Sequence, residues 1–311
     1  MMQHRMNFES LATLLKQRLS YEQRSQALRA PIFILSAPRS GSSMLFERLT
    51  AFAGLSNIGG ESHVVYRNFP RLRFADADFA SASLTKQHAD PSTITQFRNN
   101  FLYLLQDHQG VRLIEQPELF ARSETKLIEK TPRNALNIPF LLAVFPDARF
   151  IFLHRKPEEN IASLIEAWQL GLQTGRFATF PNLPGWDRPA WCFLLPEGWQ
   201  KMRSKSLAEI AAFQWEQSNS LIFHHLQSLD KQRWISVNYQ DLIDKQQDEL
   251  MRIADFARLN VQNWPQLSAA LPLSKSTLTT PNQEKWRKHE KQILALMPEL
   301  RPLCAALHRL P

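Results

Sequence analysis

The stretch Pro31-Ile-Phe-Ile-Leu-Ser-Ala-Pro-Arg-Ser-Gly-Ser-Ser-Met-Leu45 decides the fold: an apolar run breaks into a small, hydroxyl-rich turn and then into a helical pattern. Ile32 to Leu35 read as a buried β-strand. Ser40, Gly41, Ser42 and Ser43 let the backbone approach an anion closely, the helix that follows presents its unpartnered amides, and Arg39 adds a cation at the mouth. The nearest general template is G-x-x-x-x-G-K-[ST], but Ser36 stands at its first glycine and Ser42 at its lysine. A nucleoside triphosphate needs that lysine on its terminal phosphates and a metal beside it, so the loop suits a different phosphoanhydride. The alternative is an ordinary strand-to-helix turn with Ser42 or Ser43 as N-cap.

Working outward, Ala148-Arg-Phe-Ile-Phe-Leu-His-Arg-Lys-Pro-Glu-Glu-Asn-Ile-Ala-Ser163 is again strand, turn and helix, with Pro157 placed for the first helical turn. Arg155 leaves the strand end, and an arginine fork suits a phosphate dianion. Ser163, eight positions on, faces the same point only if the helix start folds back toward the strand tip. Between the two segments lies Leu127-Ile-Glu-Lys-Thr-Pro-Arg-Asn134, a short strand ending in Lys130, followed by a helical run from Ala135 to Phe145. Arg233-Trp-Ile-Ser-Val-Asn-Tyr-Gln-Asp-Leu242 is a further strand running into a helix. Strands at 31–36, 127–130, 149–153 and 233–237, separated by helical patterns, predict an α/β fold. It is a three-layer sandwich with a central parallel sheet and helices on both faces. Ligands of such sheets sit at the carboxyl ends of strands, where Arg39, Lys130, Arg155 and Tyr239 all fall.

These segments together resemble the sulfotransferases that use 3′-phosphoadenosine 5′-phosphosulfate. In that family a Pro-Arg/Lys-Ser-Gly-Ser/Thr-Ser/Thr loop holds the 5′-phosphosulfate. The resemblance implies a P-loop-like fold and gives Arg39, Ser40, Gly41, Ser42 and Ser43 to that group. Arg155 and Ser163 go to the 3′-phosphate, Lys130 to the bridging oxygen of the donor, and Tyr239 to the neighbourhood of the adenosine. Tyr239 reads equally as a residue capping the sheet edge. Glu284-Lys-Trp-Arg-Lys288 is similar to a basic stretch of bacterial members and brings either Arg287 or Lys285 over the cofactor phosphates, unless it is a solvated face.

The cytosolic branch carries Lys-Thr-His where this chain has Lys130-Thr131-Pro132, and proline cannot take a proton. Gly59-Gly-Glu-Ser-His63 is similar to the Gly-Glu-Thr segment of the protein-tyrosine branch, which makes Glu61 the expected general base and His63 its alternate. Desolvation is expected to raise the pKa of Glu61 toward the working pH. The implied reaction is in-line sulfuryl transfer to a hydroxyl, with an amine as the lesser alternative. The catalytic set is Glu61, Lys130 and Arg39, no metal is demanded, and the product is adenosine 3′,5′-bisphosphate. The acceptor class stays open among small molecules, lipids, glycans and peptides bearing a hydroxyl. Two other functions compete. A P-loop kinase is disfavoured by the missing lysine and by the lack of an apolar strand ending in a metal-binding aspartate. A non-catalytic nucleotide-binding protein would bind the product and transfer nothing.

Composition narrows the classes further. The 311 residues carry 37 Lys and Arg against 29 Asp and Glu, a formal charge of +8, which favours anionic partners. The basic residues are scattered, with no stripe interleaved with aromatics, so nucleic-acid binding is not expected. Cys192 and Cys304 are the two cysteines, with no Cys-x-x-Cys and no metal-ligand cluster. No secretory core follows the first residues and no run of about 18 apolar residues occurs, so a cytoplasmic protein without a membrane span is expected.

One domain over 1–311 is expected, with a helical extension over 1–30 in which an amphipathic helix runs from about Phe8 to Leu28. A polar stretch from Tyr66 to Thr93, followed by a helix from about Ile94 to Gln106, is read as lining an acceptor pocket. So is a Pro- and Trp-rich insertion within 171–203. Its Trp186, Trp191 and Trp199 either offer flat apolar surface to a substrate or pack onto the core.

Overall fold

The computed structural model describes residues 7–52, 54–73, 80–118, 126–259, 274, 277–279, 282 and 284–310. Residues 1–6 of the expected N-terminal extension and 74–79 of the expected acceptor stretch lie outside them.

The central sheet has strands β1 (Ile32–Leu35), β2 (Leu55–Ser56), β3 (Lys126–Lys130), β4 (Arg149–His154) and β7 (Trp234–Asn238). All pairings are parallel and the order is β2-β3-β1-β4-β7. The chain is therefore an α/β protein with a parallel sheet between two helical layers, as the sequence predicts. Alternation of side chains along buried strands sorts the core by residue type. Phe33, Leu35, Leu127, Phe150 and Phe152 point to one face. Ile32, Ile34, Ile128, Ile151, Leu153 and Val237 point to the other. The isoleucine face is covered by Ser42–Thr50 and Gln246–Ala257, and the phenylalanine face by Ile138–Val144, Pro157–Thr174, Leu207–Gln227 and the N-terminal helices.

Several elements differ from expectation for local reasons. The single N-terminal helix is two, Phe8–Arg18 and Tyr21–Ala27, because Ser20 and Gln23 close a capping box that starts a new helix. Asp90 accepts from the amides of Ser92 and Thr93 and starts the next helix at Pro91 rather than Ile94. The insertion is an antiparallel hairpin, β5 (Ala178–Pro181) and β6 (Ala190–Cys192), with an irregular register between Ala178 and Phe180. Its tryptophans pack inward. Trp191 lies 5.3 Å from Trp168 at 85° and 4.8 Å from Trp186, and Trp199 joins the same cluster. Fully buried Gln214 bonds Trp168 Nε1 at 2.9 Å and donates to the carbonyls of Cys192 and Leu194, which pins the hairpin to the helix core. Gly171 is required beneath it, since a Cβ there would meet Cys192 Sγ at 2.6 Å.

Candidate active site

A cavity of about 590 Å³ opens at the carboxyl ends of the strands. Its floor is the turn after β1. Arg39 (φ +67°) and Gly41 (φ +96°) both take the left-handed conformation, which for arginine stores local strain. A Cβ at Gly41 would come within 2.4 Å of Tyr239 Cε2, so only glycine lets the loop lie under that ring. Gly41, not a serine, is the N-cap of Ser42–Thr50, and no side chain caps that helix start. Its first amides are thus available to an anion. Ser42 and Ser43 line the cavity. The Ser40 side chain is fully buried and its hydroxyl donates to Asn160 Oδ1 at 2.7 Å, so of this residue only the backbone is left for the expected phosphate contact. Asn160 Nδ2 in turn donates to Pro38 O at 2.8 Å, so this asparagine fixes the loop.

On the β4–β7 side, Arg155, Ser163 and Tyr239 all line the cavity. Arg155 donates through Nε and Nη2 to Glu159 Oε2 at 2.9 and 2.8 Å, and its guanidinium carbon stands 4.3 Å from the centre of the Tyr239 ring. Burial pushes the Arg39 guanidinium down to about 10, helped by the charges of Arg176 and Arg155 and opposed by Glu166. Positive charge is therefore crowded at this end, the condition in which a polyanion binds well. Lys285 and Trp286 line the cavity, and Lys285 pairs with Glu166. Arg287 differs from expectation: its exposed guanidinium is engaged by Glu284 and, at 2.9 Å, by Glu290.

On the β3 side, Lys130 Nζ donates to Ser43 Oγ at 3.0 Å and to Glu61 Oε1 at 2.5 Å. His63 Nε2 lies 3.1 Å from Glu61 Oε2. The pKa of the Glu61 carboxyl is lowered, not raised as the sequence leads one to expect. Burial acts to raise its pKa, but the His63 hydrogen bond and the charge and hydrogen bond of Lys130 outweigh it and hold it down at about 2. Glu61 is placed by a buried network. Fully buried Glu129 accepts from Ser62 N at 3.2 Å, from Asn134 Nδ2 at 2.6 Å and from Thr131 Oγ1. Thr131 Oγ1 also accepts from Ser62 N at 2.7 Å. Burial pushes the Glu129 carboxyl up, against those hydrogen bonds and the Lys130 charge.

The apolar wall comes from the hairpin, but not from its tryptophans. Phe177, Phe180, Phe193 and Leu194 line the cavity. Phe177 and Phe193 both have left-handed backbones (φ +70° and +64°) and stack at 5.1 Å. Such strain in bulky residues is tolerated where the surroundings over-determine it, and it concentrates at functional sites. From the stretch after Glu61, Ala82 reaches the cavity, while Tyr66, Phe69 and Leu72 are core.

The description of the sulfotransferase family matches residues 31–188, just over half of the 311 and the span that holds the loop, Glu61, Lys130, Arg155 and Ser163. The chain belongs to the sulfotransferase family. No curated protein matches it in sequence. Among solved structures it is similar to the sulfotransferase domain from the curacin biosynthetic pathway (20% identity over 78% of this chain and 77% of that one, TM-score 0.46). It is also similar to sulfotransferase STF9 from Mycobacterium avium (13%, 94% and 81%, 0.49) and to mouse sulfotransferase SULT7A1 complexed with PAP (14%, 87% and 76%, 0.39). In this sulfotransferase, no group of three or more His, Cys, Asp or Glu that could hold a metal occurs among the described residues. No helix among them is long and apolar enough to cross a membrane.

Sequence reasoning missed Asn160, Glu159, Arg133 and the two strained phenylalanines. Asn160 was within reach, because it shares a helix face with Ser163 three residues on. The phenylalanines carry no sequence signal, since their backbone angles come from the hairpin.

Proposed function

We propose that this sulfotransferase moves a sulfuryl group from 3′-phosphoadenosine 5′-phosphosulfate to an acceptor hydroxyl. The observation that carries the reading is Lys130, which joins the phosphate loop at Ser43 to the carboxylate Glu61 in one cavity with Arg155 and Ser163. Three features fit a doubly phosphorylated adenosine: a helix start without a side-chain cap, a glycine that lets Tyr239 lie on the loop, and arginines at two strand ends.

The donor supplies an activated sulfuryl group on a phosphate leaving group. Arg155 and Ser163 hold the 3′-phosphate, and the Tyr239 ring fixes the Arg155 fork. The amides after Gly41, with Arg39, meet the 5′-phosphate. Lys130 stabilises charge on the bridging oxygen as its bond to sulfur breaks. Glu61 takes the acceptor proton as the acceptor oxygen bonds to sulfur, and His63 orients the carboxylate. Lys130 couples these events: as it turns to the departing oxygen, Glu61 loses one of its two partners, and burial then makes it a stronger base. The reading takes 1–311 as one domain that acts in the cytoplasm.

Thermal shift with adenosine 3′,5′-bisphosphate against ATP and NAD tests the reading. The bisphosphate is expected to raise the melting temperature and the other two to have far less effect; a larger shift with ATP contradicts it. Glu61→Gln is expected to keep the bisphosphate shift and lose roughly 100-fold or more in turnover. Full turnover in that variant would remove Glu61 from the base role.

A further inference from the structure

Arg133 is the cavity residue that the proposed reaction leaves without a task. It follows Lys130-Thr131-Pro132 at the end of β3 and lines the cavity together with Glu61 and His63. Its guanidinium lies on the face of Tyr66, 4.8 Å from carbon to ring centre, and Nη2 donates to Leu72 O at 3.0 Å. Nε is buried without a hydrogen bond, and among the described residues no carboxylate pairs with the side chain. Burial pushes its pKa down.

A cation held largely off water without a counter-ion is costly unless something else supplies the charge. Two other cations that line the cavity contrast with it, since Arg155 has Glu159 and Lys285 has Glu166, and nearby Lys130 has Glu61.

Sheet order gives the missing charge an address. β3 and β4 flank β1 on opposite sides, so Arg133 stands at the Glu61 end, away from Arg155, Ser163 and Tyr239 at the β4–β7 end. In the proposed reaction the donor's phosphates take the latter end and the middle, and the acceptor enters beside Glu61. The segment around Ala82 links the hairpin that carries the apolar wall to the turn that holds Arg133. There Ala82 N donates to Leu195 O at 2.8 Å, and Leu84 N to Asn137 Oδ1 at 2.9 Å.

We infer that Arg133 receives an anionic group of the acceptor, a carboxylate or a phosphate. The acceptor is then an amphipathic hydroxylated acid, its apolar body against the phenylalanines and its hydroxyl at Glu61. This rests on the sulfotransfer reading above and assigns the acceptor half of the same cavity.

The test uses protein saturated with adenosine 3′,5′-bisphosphate, so that Arg39 and Arg155 are occupied. It is titrated in a thermal-shift assay with 3-phenylpropionate, methyl 3-phenylpropionate and phenyl phosphate. At least one of the two anions is expected to bind at least about tenfold more tightly than the neutral ester, the factor one charge-assisted hydrogen bond supplies. Which anion binds better separates carboxylate from phosphate recognition. Arg133→Met is expected to erase the preference while the bisphosphate still binds, and Arg133→Lys to retain part of it. A purely structural arginine would lower the melting temperature in Arg133→Met and leave the preference in place. If Arg133→Met does not fold, the wild-type comparison and Arg133→Lys still decide. Equal binding of anions and ester, or a preference that survives in Arg133→Met, overturns the inference. Failure of the bisphosphate to bind wild-type protein sinks the underlying reading instead.

Discussion

The two ends of the sheet use the same residue types for opposite purposes. At the amino ends of the strands, cations are consumed by the backbone. Lys126 Nζ donates to Ala257 O at 2.6 Å and to Arg258 O at 3.2 Å, and Arg149 donates to Gln232 O at 2.9 Å and to Phe256 O. Arg233 donates to Pro146 O at 2.7 Å and to Ala148 O. Two of these side chains meet the carbonyl end of Gln246–Ala257, where the helix dipole favours positive charge. At the carboxyl ends, Lys130 and Arg155 meet carboxylates that also face a cavity, and Arg133 meets none. A cation bonded to carbonyls is satisfied and structural, whereas one sharing a cavity with a carboxylate can exchange that partner for a ligand. The difference lies in the partner, and a list of basic residues does not contain it.

The sharpest way to break the comparison is to remove one cation from each end. Lys130→Ala is expected to lower turnover by roughly 1,000-fold, the scale of losing a group aimed at developing charge, and steady-state kinetics reads it. Arg149→Ala is expected to cost about 2 kcal/mol of stability in urea unfolding, from lost hydrogen bonds to a charged group, and to leave adenosine 3′,5′-bisphosphate affinity unchanged. A change in that affinity would mean the two ends are coupled.

A smaller effect, visible only in acid, sharpens the carboxylate side. The folded-state pKa of Glu61 is held at about 2, below its ordinary value, so its contribution is complete above the unfolded-state value. It is lost as pH falls from about 5 toward 2. Urea unfolding across that window should show Glu61→Gln with a flatter acid limb than wild type. His154, whose pKa burial pushes down to about 4, adds a loss of the same sign as pH falls from its ordinary value toward 4, and that part should persist in the variant.

Sequence legibility followed the same division. Strands β1, β3, β4 and β7 were readable to within a residue because buried parallel strands are continuous apolar runs. β2, two residues long, is too short to carry a period. Arg39, Lys130 and Arg155 were legible as cations because each lies at or just past a strand end, whereas Ser163, well inside Pro157–Thr174, was reached only through the family resemblance. Ser40 and Arg287 were assigned through the resemblance; in the structure Asn160 takes the Ser40 hydroxyl, and Glu284 and Glu290 engage Arg287. Of the two readings open for the three tryptophans, packing onto the core holds, because Gln214 supplies the hydrogen bonds that hold the hairpin and Trp168 there. The depressed pKa of Glu61 needed the distance to Lys130, which spans 69 residues of sequence.

In the proposed complex, Arg155 at one strand end and the loop after β1 grip opposite ends of one nucleotide. Isothermal titration of adenosine 3′,5′-bisphosphate and adenosine 5′-phosphate into wild type and Arg155→Ala tests it directly. The account predicts that wild type binds the bisphosphate roughly 100-fold more tightly and that Arg155→Ala binds both alike, as expected when a bidentate charged contact is lost. Equal affinities in wild type, or a preference undiminished in Arg155→Ala, would contradict it.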